Sequence, residues 1–179
     1  MEKIGLFYGS DTGCTDDITR DFIPLWGKEE LEVSEIGDAT KEDLEQYKIL
    51  ILGLSTWYDG DLQSDWEDFF EEFKEINFTG KAVAIYGLGD QIGYGEYFVD
   101  GIGILAKVVI EKGGAVVGHW PTEGYRFTDS VALIDGNEDY FYGLALDNDN
   151  ESQLNDERLE KWIAQVKLEL EKIVETVKS

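Results

Sequence analysis

Ile49-Leu50-Ile51-Leu52-Gly53-Leu54 runs directly into Ser55-Thr56-Trp57-Tyr58-Asp59-Gly60-Asp61-Leu62-Gln63. The first six residues are apolar without alternation, the pattern of a strand covered on both faces. Such strands belong to parallel sheets flanked by helices. The chain upstream agrees. Lys3–Tyr8 is a second buried-strand pattern, Thr15–Trp26 places Ile18, Phe22, Ile23 and Leu25 near helical spacing, and Leu31–Ile36 alternates as a strand does. Lys41–Gln46 reads as a short helix with Thr40 as its N-cap. Downstream, Ser64–Ile76 is helical, with Trp66, Phe69, Phe70 and Phe73 on one stripe. Lys81–Leu88 is a buried strand, and Glu96–Lys112 is a helix closed by Gly113-Gly114. Ala115–Trp120 is a strand and Leu154–Lys178 a long amphipathic helix.

Strands alternating with helices predict an α/β fold. The expected form is a doubly wound, five-stranded parallel sheet in the order 2-1-3-4-5 with helices on both faces, one domain over residues 1–179. One segment breaks the rhythm. Residues 121–143, Gly- and Asp-rich and of mixed pattern, read as an insertion that interrupts the last strand.

Charge and composition exclude several functions. The 179 residues carry 39 Asp and Glu against 15 Lys and Arg, a formal net charge of −24. Binding nucleic acid needs a basic surface, and an anionic membrane repels this one. Disorder is the other common reading of strong acidity, but 13% aromatic and 42% hydrophobic residues suffice for a core. A single Cys offers no internal disulfide and no Cys-based zinc site, and a single His argues against a histidine metal site or a catalytic His network. No apolar run reaches the length of a membrane span, and the N-terminus enters a strand without a basic leader, so a cytoplasmic protein is expected.

In this sheet type, ligands sit at the carboxyl ends of the strands, near the reversal of strand order. Three loops end there. Gly9-Ser10-Asp11-Thr12-Gly13-Cys14-Thr15 joins a strand to a helix N-terminus and holds three hydroxyls without Lys or Arg. Free N–H groups and hydroxyls there suit a terminal phosphate. The loop lacks the GK[ST] ending of a Walker A motif. Trp57-Tyr58 at a sheet mouth suits a wall for a flat aromatic ligand. Gly87-Leu88-Gly89-Asp90-Gln91-Ile92-Gly93-Tyr94-Gly95 allows close backbone approach, and Tyr94 can supply an opposite wall. Each loop alone has a plainer reading: an N-cap turn, a Trp folded back on the sheet, a Gly-rich connection. All three at converging strand ends argue for a site.

At this point the residues resemble the flavodoxin family. The carrying motifs are Ser10-x-Thr12-Gly13-x-Thr15, Thr56-Trp57-Tyr58-x-Gly60, Gly89-Asp90-Gln91-x-Gly93-Tyr94, Trp120-Pro121-Thr122-Glu123-Gly124-Tyr125 and Gly143-Leu144-Ala145-Leu146-Asp147. The interrupted last strand is similar to the long-chain subclass. The resemblance implies non-covalent FMN and one-electron transfer. By position it implies a phosphate held by Ser10, Thr12, Gly13 and Thr15, with backbone N–H groups of Asp11 and Cys14. It implies Trp57 on the inner isoalloxazine face and Tyr94 on the outer. Asp90 and Tyr97 would line the pyrimidine end, largely through backbone, Asp147 would reach the ribityl hydroxyls, and Thr56 would lie near phosphate and ribityl. Cys14 stands where Asn is commoner, and Tyr97 where a smaller polar residue is commoner.

A dry, anionic site penalises a negatively charged reduced flavin, so a low-potential carrier cycling between neutral semiquinone and hydroquinone is expected, with the Tyr58 carbonyl as hydrogen-bond acceptor for N5–H after a peptide flip eased by Gly60. No residue would be catalytic and no metal is expected. Residues 55–75 carry eight acids and one lysine, whereas 151–179 carry seven acids and five bases, so the charge gathers at the cofactor end. One charge about 10 Å away costs an added electron roughly 0.4 kcal/mol in water, about 20 mV. The same asymmetry would steer basic patches of redox partners, reductases and low-potential acceptors, toward the site of a monomeric protein. The alternative is an FMN-dependent NAD(P)H or quinone reductase of the same fold. A phosphoacceptor signalling domain fails, because strand 1 ends Phe7-Tyr8-Gly9 and strand 3 ends Leu54-Ser55 rather than in acids.

Several signals are set aside. Gly101-Ile102-Gly103-Ile104-Leu105-Ala106 fits G-x-G-x-x-A but lies inside a helix, so close helix–sheet packing is expected. Asp147–Glu151 lacks the glycine of a calcium loop. His119 and Cys14 read as structural.

Overall fold

The computed structural model describes residues 2–178; Met1 and Ser179, the ends of the expected domain, lie outside the described residues. The central sheet holds β1 (Ile4–Tyr8), β2 (Leu31–Glu35), β3 (Ile49–Trp57) and β5 (Ala82–Leu88), all parallel. Beyond β5 lie β6 (Ala115–Val117) and β10 (Leu144–Leu146). These two pieces pair with the same edge of β5, β6 along Ala82–Ala84 and β10 along Tyr86–Leu88. They are the two halves of the expected fifth strand, so the order is the predicted doubly wound one.

The buried strands explain the unalternating sequence. Leu50, Leu52, Leu54, Val83 and Ile85 face α2 (Lys41–Glu45), α3 (Ser64–Phe73) and α4 (Asp100–Glu111). Ile51, Ala82, Ala84 and Tyr86 face α1 (Cys14–Trp26) and α6 (Asn155–Lys178). The stripe Trp66, Phe69 and Phe73 is buried, as its spacing predicts. Thr40 caps α2 in a capping box with Asp43.

Four expected boundaries move by three residues or more, the first being the helix expected over Ser64–Ile76, which ends at Phe73. β3 continues past Leu54 because Thr56 and Trp57 pair antiparallel with Leu62 and Asp61 of β4 (Asp61–Leu62), forming a hairpin that alternation does not announce. The helix expected from Glu96 starts at Asp100, because residues before it form turns and Val99 adopts a left-handed φ of 48°. That helix does end at Gly113-Gly114, with Gly114 N–H on the Val109 carbonyl and Gly113 N–H on that of Ile110. The strand expected over Ala115–Trp120 stops at Val117, because Gly118 turns the chain at φ 79°. The chain then leaves the sheet. β7 (Trp120–Pro121), β8 (Leu133–Ile134) and β9 (Asn137–Phe141) form a separate antiparallel sheet in the order β7-β9-β8, and β10 returns to β5. Among the described residues, no helix is long and apolar enough to cross a membrane.

Gly118 is the departure point. Its carbonyl accepts from Trp162 Nε1 at 2.7 Å, and a Cβ there would stand 2.7 Å from the same nitrogen. Gly124, also at positive φ (91°), has nothing within 4 Å of that position. Gly124→Ala is expected to lose about 1 kcal/mol, the left-handed penalty alone. Gly118→Ala is expected to lose at least about 2 kcal/mol more through overpacking. Urea titration of the two variants checks the order; equal losses would show that Trp162 yields freely.

Candidate functional site

The loops after β1, β3 and β5 meet at the carboxyl edge of the sheet, around a cavity of about 290 Å³. Thr12 and Cys14 line it from the first loop, Ser55, Thr56, Trp57 and Tyr58 from the second, and Leu88, Gly89, Asp90 and Tyr94 from the third. Asn148 and Asp149 close it from the end of β10. A groove of about 360 Å³ continues past Thr12 and Trp57 toward Asp61 and Glu67.

The first loop is shaped for an anion. Ser10 Oγ accepts from Gly13 N–H at 3.0 Å, folding the loop over the start of α1. Gly13 has φ 92°, open space on its Cβ side, and no side chain caps the helix. The first N–H groups of α1 thus lack a side-chain acceptor there. Asp11 turns away. Its carboxylate accepts from Gln63 Nε2 at 2.9 Å, from Ser64 N–H at 3.3 Å and from the Ser64 hydroxyl. Burial pushes the Asp11 carboxyl up, but these hydrogen bonds outweigh it and hold its pKa below the ordinary value. Thr15 is fully buried and shares a 2.6 Å hydrogen bond with Ser55, so it stands behind the cavity wall that Ser55 forms.

The second loop carries aromatic walls. Trp57 lines the cavity, and its buried Nε1 has no hydrogen-bond partner among the described residues. Tyr58 is 63% exposed with φ 45°. Its ring lies 6.2 Å from that of Trp57 and 6.3 Å, edge-on, from that of Tyr94, which is itself 44% exposed. Thr56 Oγ1 accepts from Gly101 N–H at 2.9 Å, which ties the loop to the first turn of α4. Gly60, at φ 92°, packs on Asp100: a Cβ there would stand 2.7 Å from Oδ2.

The third loop is held from within. Asp90 accepts from Gly93 N–H at 2.7 Å, Asn150 Nδ2 at 2.8 Å and Ile92 N–H at 3.1 Å. Burial again works against these bonds and loses, so Asp90 titrates below an ordinary Asp. The side chain is committed to loop shape. At Gly89 a Cβ would meet Val99 N at 3.0 Å, so the glycine permits the approach of α4.

Not every expected residue lines the cavity: Ser10, Gly13, Thr15, Gly60, Tyr97 and Asp147 stand off its wall, and Asp11 lines only the adjoining groove. Asp147 is fully buried and caps α5 (Asn148–Glu151), accepting from Asn150 N–H at 3.0 Å and from Gln91 Nε2 at 2.8 Å. The cavity is lined instead by its successors Asn148 and Asp149. Tyr97 is half-buried outside the lining, its N–H on the Tyr94 carbonyl at 3.0 Å. Sequence reasoning missed the ties Gln63, Gln91 and Asn150. Gln63 was legible in principle, since it sits at the start of a helix, where a side chain can cap. The carboxylates of Asp90, Asp147 and Asp149 offer oxygens within 4.8 Å of one another, and burial with the two neighbouring acids pushes Asp149 up.

An anion cradle at a helix start, facing two aromatic rings on adjoining strand ends, narrows the comparison to one group of doubly wound proteins. The family model described as Flavodoxin matches residues 6–162. The chain belongs to the flavodoxin family. It is 48% identical over 170 residues to a flavodoxin of Klebsiella pneumoniae, covering 95% of this chain and 96% of that one. It is 46% identical over 168 residues to a flavodoxin of Nostoc sp., covering 94% and 97%. The crystal structure of Fusobacterium nucleatum flavodoxin bound to flavin mononucleotide superposes with a TM-score of 0.88 at 35% identity, covering 94% of this chain and 99% of that one.

Behind this flavodoxin site lies Asp100, 4% exposed. Burial raises its pKa, the Val131 N–H bond opposes that, Asp129 adds to it and Lys107 subtracts. A raised folded-state value gives stability that is complete below the unfolded pKa and is lost as pH rises through the folded one. Asp100→Asn keeps an acceptor for Val131 and removes the buried charge. It is expected to raise the melting temperature at neutral pH, with the gain closing as pH falls toward about 4. An unchanged melting temperature at pH 7 would sink this reading of the carboxyl.

Proposed function

We propose that this chain binds FMN non-covalently in the cavity at the strand ends and carries electrons one at a time between partner proteins, using the neutral semiquinone and hydroquinone levels. The observation that carries the reading is the pairing of a cation-free anion cradle at Ser10–Cys14 with Trp57 and Tyr94 across one cavity. The residues fit the group. Uncapped helix N–H groups and the Ser10 and Thr12 hydroxyls suit a phosphate monoester. Flat walls suit a tricyclic ring, and the unpartnered Trp57 Nε1 offers a donor beside it. When bound, the flavin supplies the redox chemistry; the protein's part is binding, orientation and field.

Each loop has a defined task in this reading. Trp57 and Tyr94 exclude water from the ring faces. The Tyr58 carbonyl would accept a hydrogen bond from the flavin N5–H once the Tyr58–Asp59 peptide turns. Tyr58, at φ 45°, is the amino side of that peptide, and Gly60, at φ 92°, follows one residue beyond it, in a turn closed by only two strand pairs. Asp90 and Asp149 line the cavity and Asp61 the adjoining groove, where they would oppose further negative charge on a bound flavin and lower its second potential. The insertion inside the fifth strand fits the long-chain subclass.

The apolar mouth of Tyr58, Ile92 and Tyr94, exposed by 63, 53 and 44%, sits among acids. It suits partners, reductases and low-potential acceptors, that present a basic rim around an apolar centre, with this protein acting as a cytoplasmic monomer. Two walls leave no face for a second substrate, which favours a carrier over a reductase.

The purified protein, supplied with FMN, is expected to turn yellow and to pass through a blue intermediate on stepwise reduction, with no rapid NADH oxidation. Fast NADH turnover would establish the reductase instead. Trp57→Ala is expected to weaken FMN about tenfold, near 1.4 kcal/mol, in a fluorescence titration. Gly60→Val places a Cβ against Asp100 and a branched residue at positive φ. It is expected to reduce the yield of the blue form; an unchanged yield would remove Gly60 from the scheme.

A further inference from the structure

The glycine pair inside α4 and the insertion are left over from the site itself, and they meet. Gly103 lies under the insertion: a Cβ there would stand 2.2 Å from the Val131 carbonyl oxygen and 2.7 Å from Ala132 N. Gly101, on the same helix, lies under the sheet end: a Cβ there would stand 2.7 Å from Leu54 Cδ1 and 3.1 Å from Thr56 Oγ1. The helix is thus pressed between backbone 131–132 and the strand that leads into Trp57. Polar contacts follow the same line. Asp100 Oδ1 accepts from Val131 N–H at 2.8 Å, Oδ2 of the same carboxyl packs on Gly60, and Gly101 N–H donates to Thr56.

The corner before α4 is also held from the insertion. Val99, a β-branched residue at φ 48°, is an outlier that persists only where its surroundings fix it. The Ser130 hydroxyl donates to the Phe98 carbonyl, and the Phe98 ring stacks on Phe127 at 5.7 Å and meets Phe141 edge-on at 5.8 Å.

We propose that residues 130–132 of the insertion are a brace for the Thr56–Gly60 turn, acting through Asp100, Gly101 and Gly103 of α4. These are positioning residues; none lines the cavity. The brace keeps the turn in its resting form by filling the space behind Gly60 and fixing Thr56. Loosening it lets the Tyr58–Asp59 peptide turn more readily. The mechanical part stands by itself; its redox consequence rests on the FMN reading above.

Gly103→Ala and Val131→Pro test this without altering any charge. The first pushes the insertion off α4, and the second removes the N–H that Asp100 accepts. Two measurements are made on each variant and on the parent protein. In the protein as purified, amide hydrogen exchange at Trp57 and Asp61, whose pairing closes the turn, and at Gly101, which donates to Thr56, is expected to quicken about tenfold, while exchange in β1 stays at the parental rate. In protein loaded with FMN, the two one-electron midpoint potentials are expected to separate further by a tenfold equilibrium factor, about 59 mV. Parental exchange at Trp57, Asp61 and Gly101 in whichever variant folds overturns the brace. Faster exchange with an unchanged separation limits it to mechanics and overturns its redox role. If the parent itself refuses FMN, the proposed function fails, while the exchange result still decides the brace. A loss of stability spread evenly over all amides would mark the contacts as packing only and also overturns it.

Discussion

Parallel strands cannot be joined by a tight turn, and that constraint governs everything described here. Each connection must cross a face of the sheet as a helix and re-enter at the amino edge. Every loop that leaves a strand then emerges at the carboxyl edge, and loops from β1, β3 and β5 are thrown together whatever their sequence. The chain uses that crowding. Glycines stand where a neighbouring segment must come close: Gly89 under the Val99 backbone, Gly101 under the Leu54 side chain, Gly53 against the ring of Tyr86. Larger residues at these points would hold the loops apart and leave a wide, wet cleft instead of a cavity sized for one flat ligand.

The loops are then locked by side chains that bridge from one to the next. Asp11 reaches Gln63 and Ser64, Thr15 reaches Ser55, Asp90 reaches Asn150, and Gln91 reaches Asp147. In each pair a polar group is withdrawn from the cavity to fix its geometry. The donors and acceptors that remain for a ligand are largely backbone groups and a few hydroxyls. Two carboxylates, Asp90 and Asp149, stay at the wall, and the Asp90 side chain is already engaged by Gly93, Ile92 and Asn150.

The sequence made the layered fold and most of the cavity wall legible because both rest on local signals. Apolar runs mark strands buried on two faces, the Trp66–Phe73 stripe marks a helix, and Gly9–Thr15, Thr56–Gly60 and Gly89–Tyr94 stand out as loops. Most of what could not be read depends on contacts distant in sequence. That Asp147 would face inward to Gln91, 56 residues away, has no local sign. The late start of α4 depends on a strained Val99 held by residues of the insertion, and the break at Gly118 depends on the indole of Trp162, 44 residues on. The pairing of Thr56 with Leu62 is local, only six residues apart, but no alternation marks it in the sequence.

The divided fifth strand has one more consequence. The outer rim of a sheet is a row of unpaired amides, and a long one invites a neighbouring molecule to add its own strand. Here that rim consists of β6 and β10, three residues each, with the chain turning away between them. A foreign segment would find register with one short piece and then lose it. The segment that departs and returns therefore leaves this rim without a continuous template for a foreign strand, the opposite rim being β2, while each half-strand stays anchored to β5.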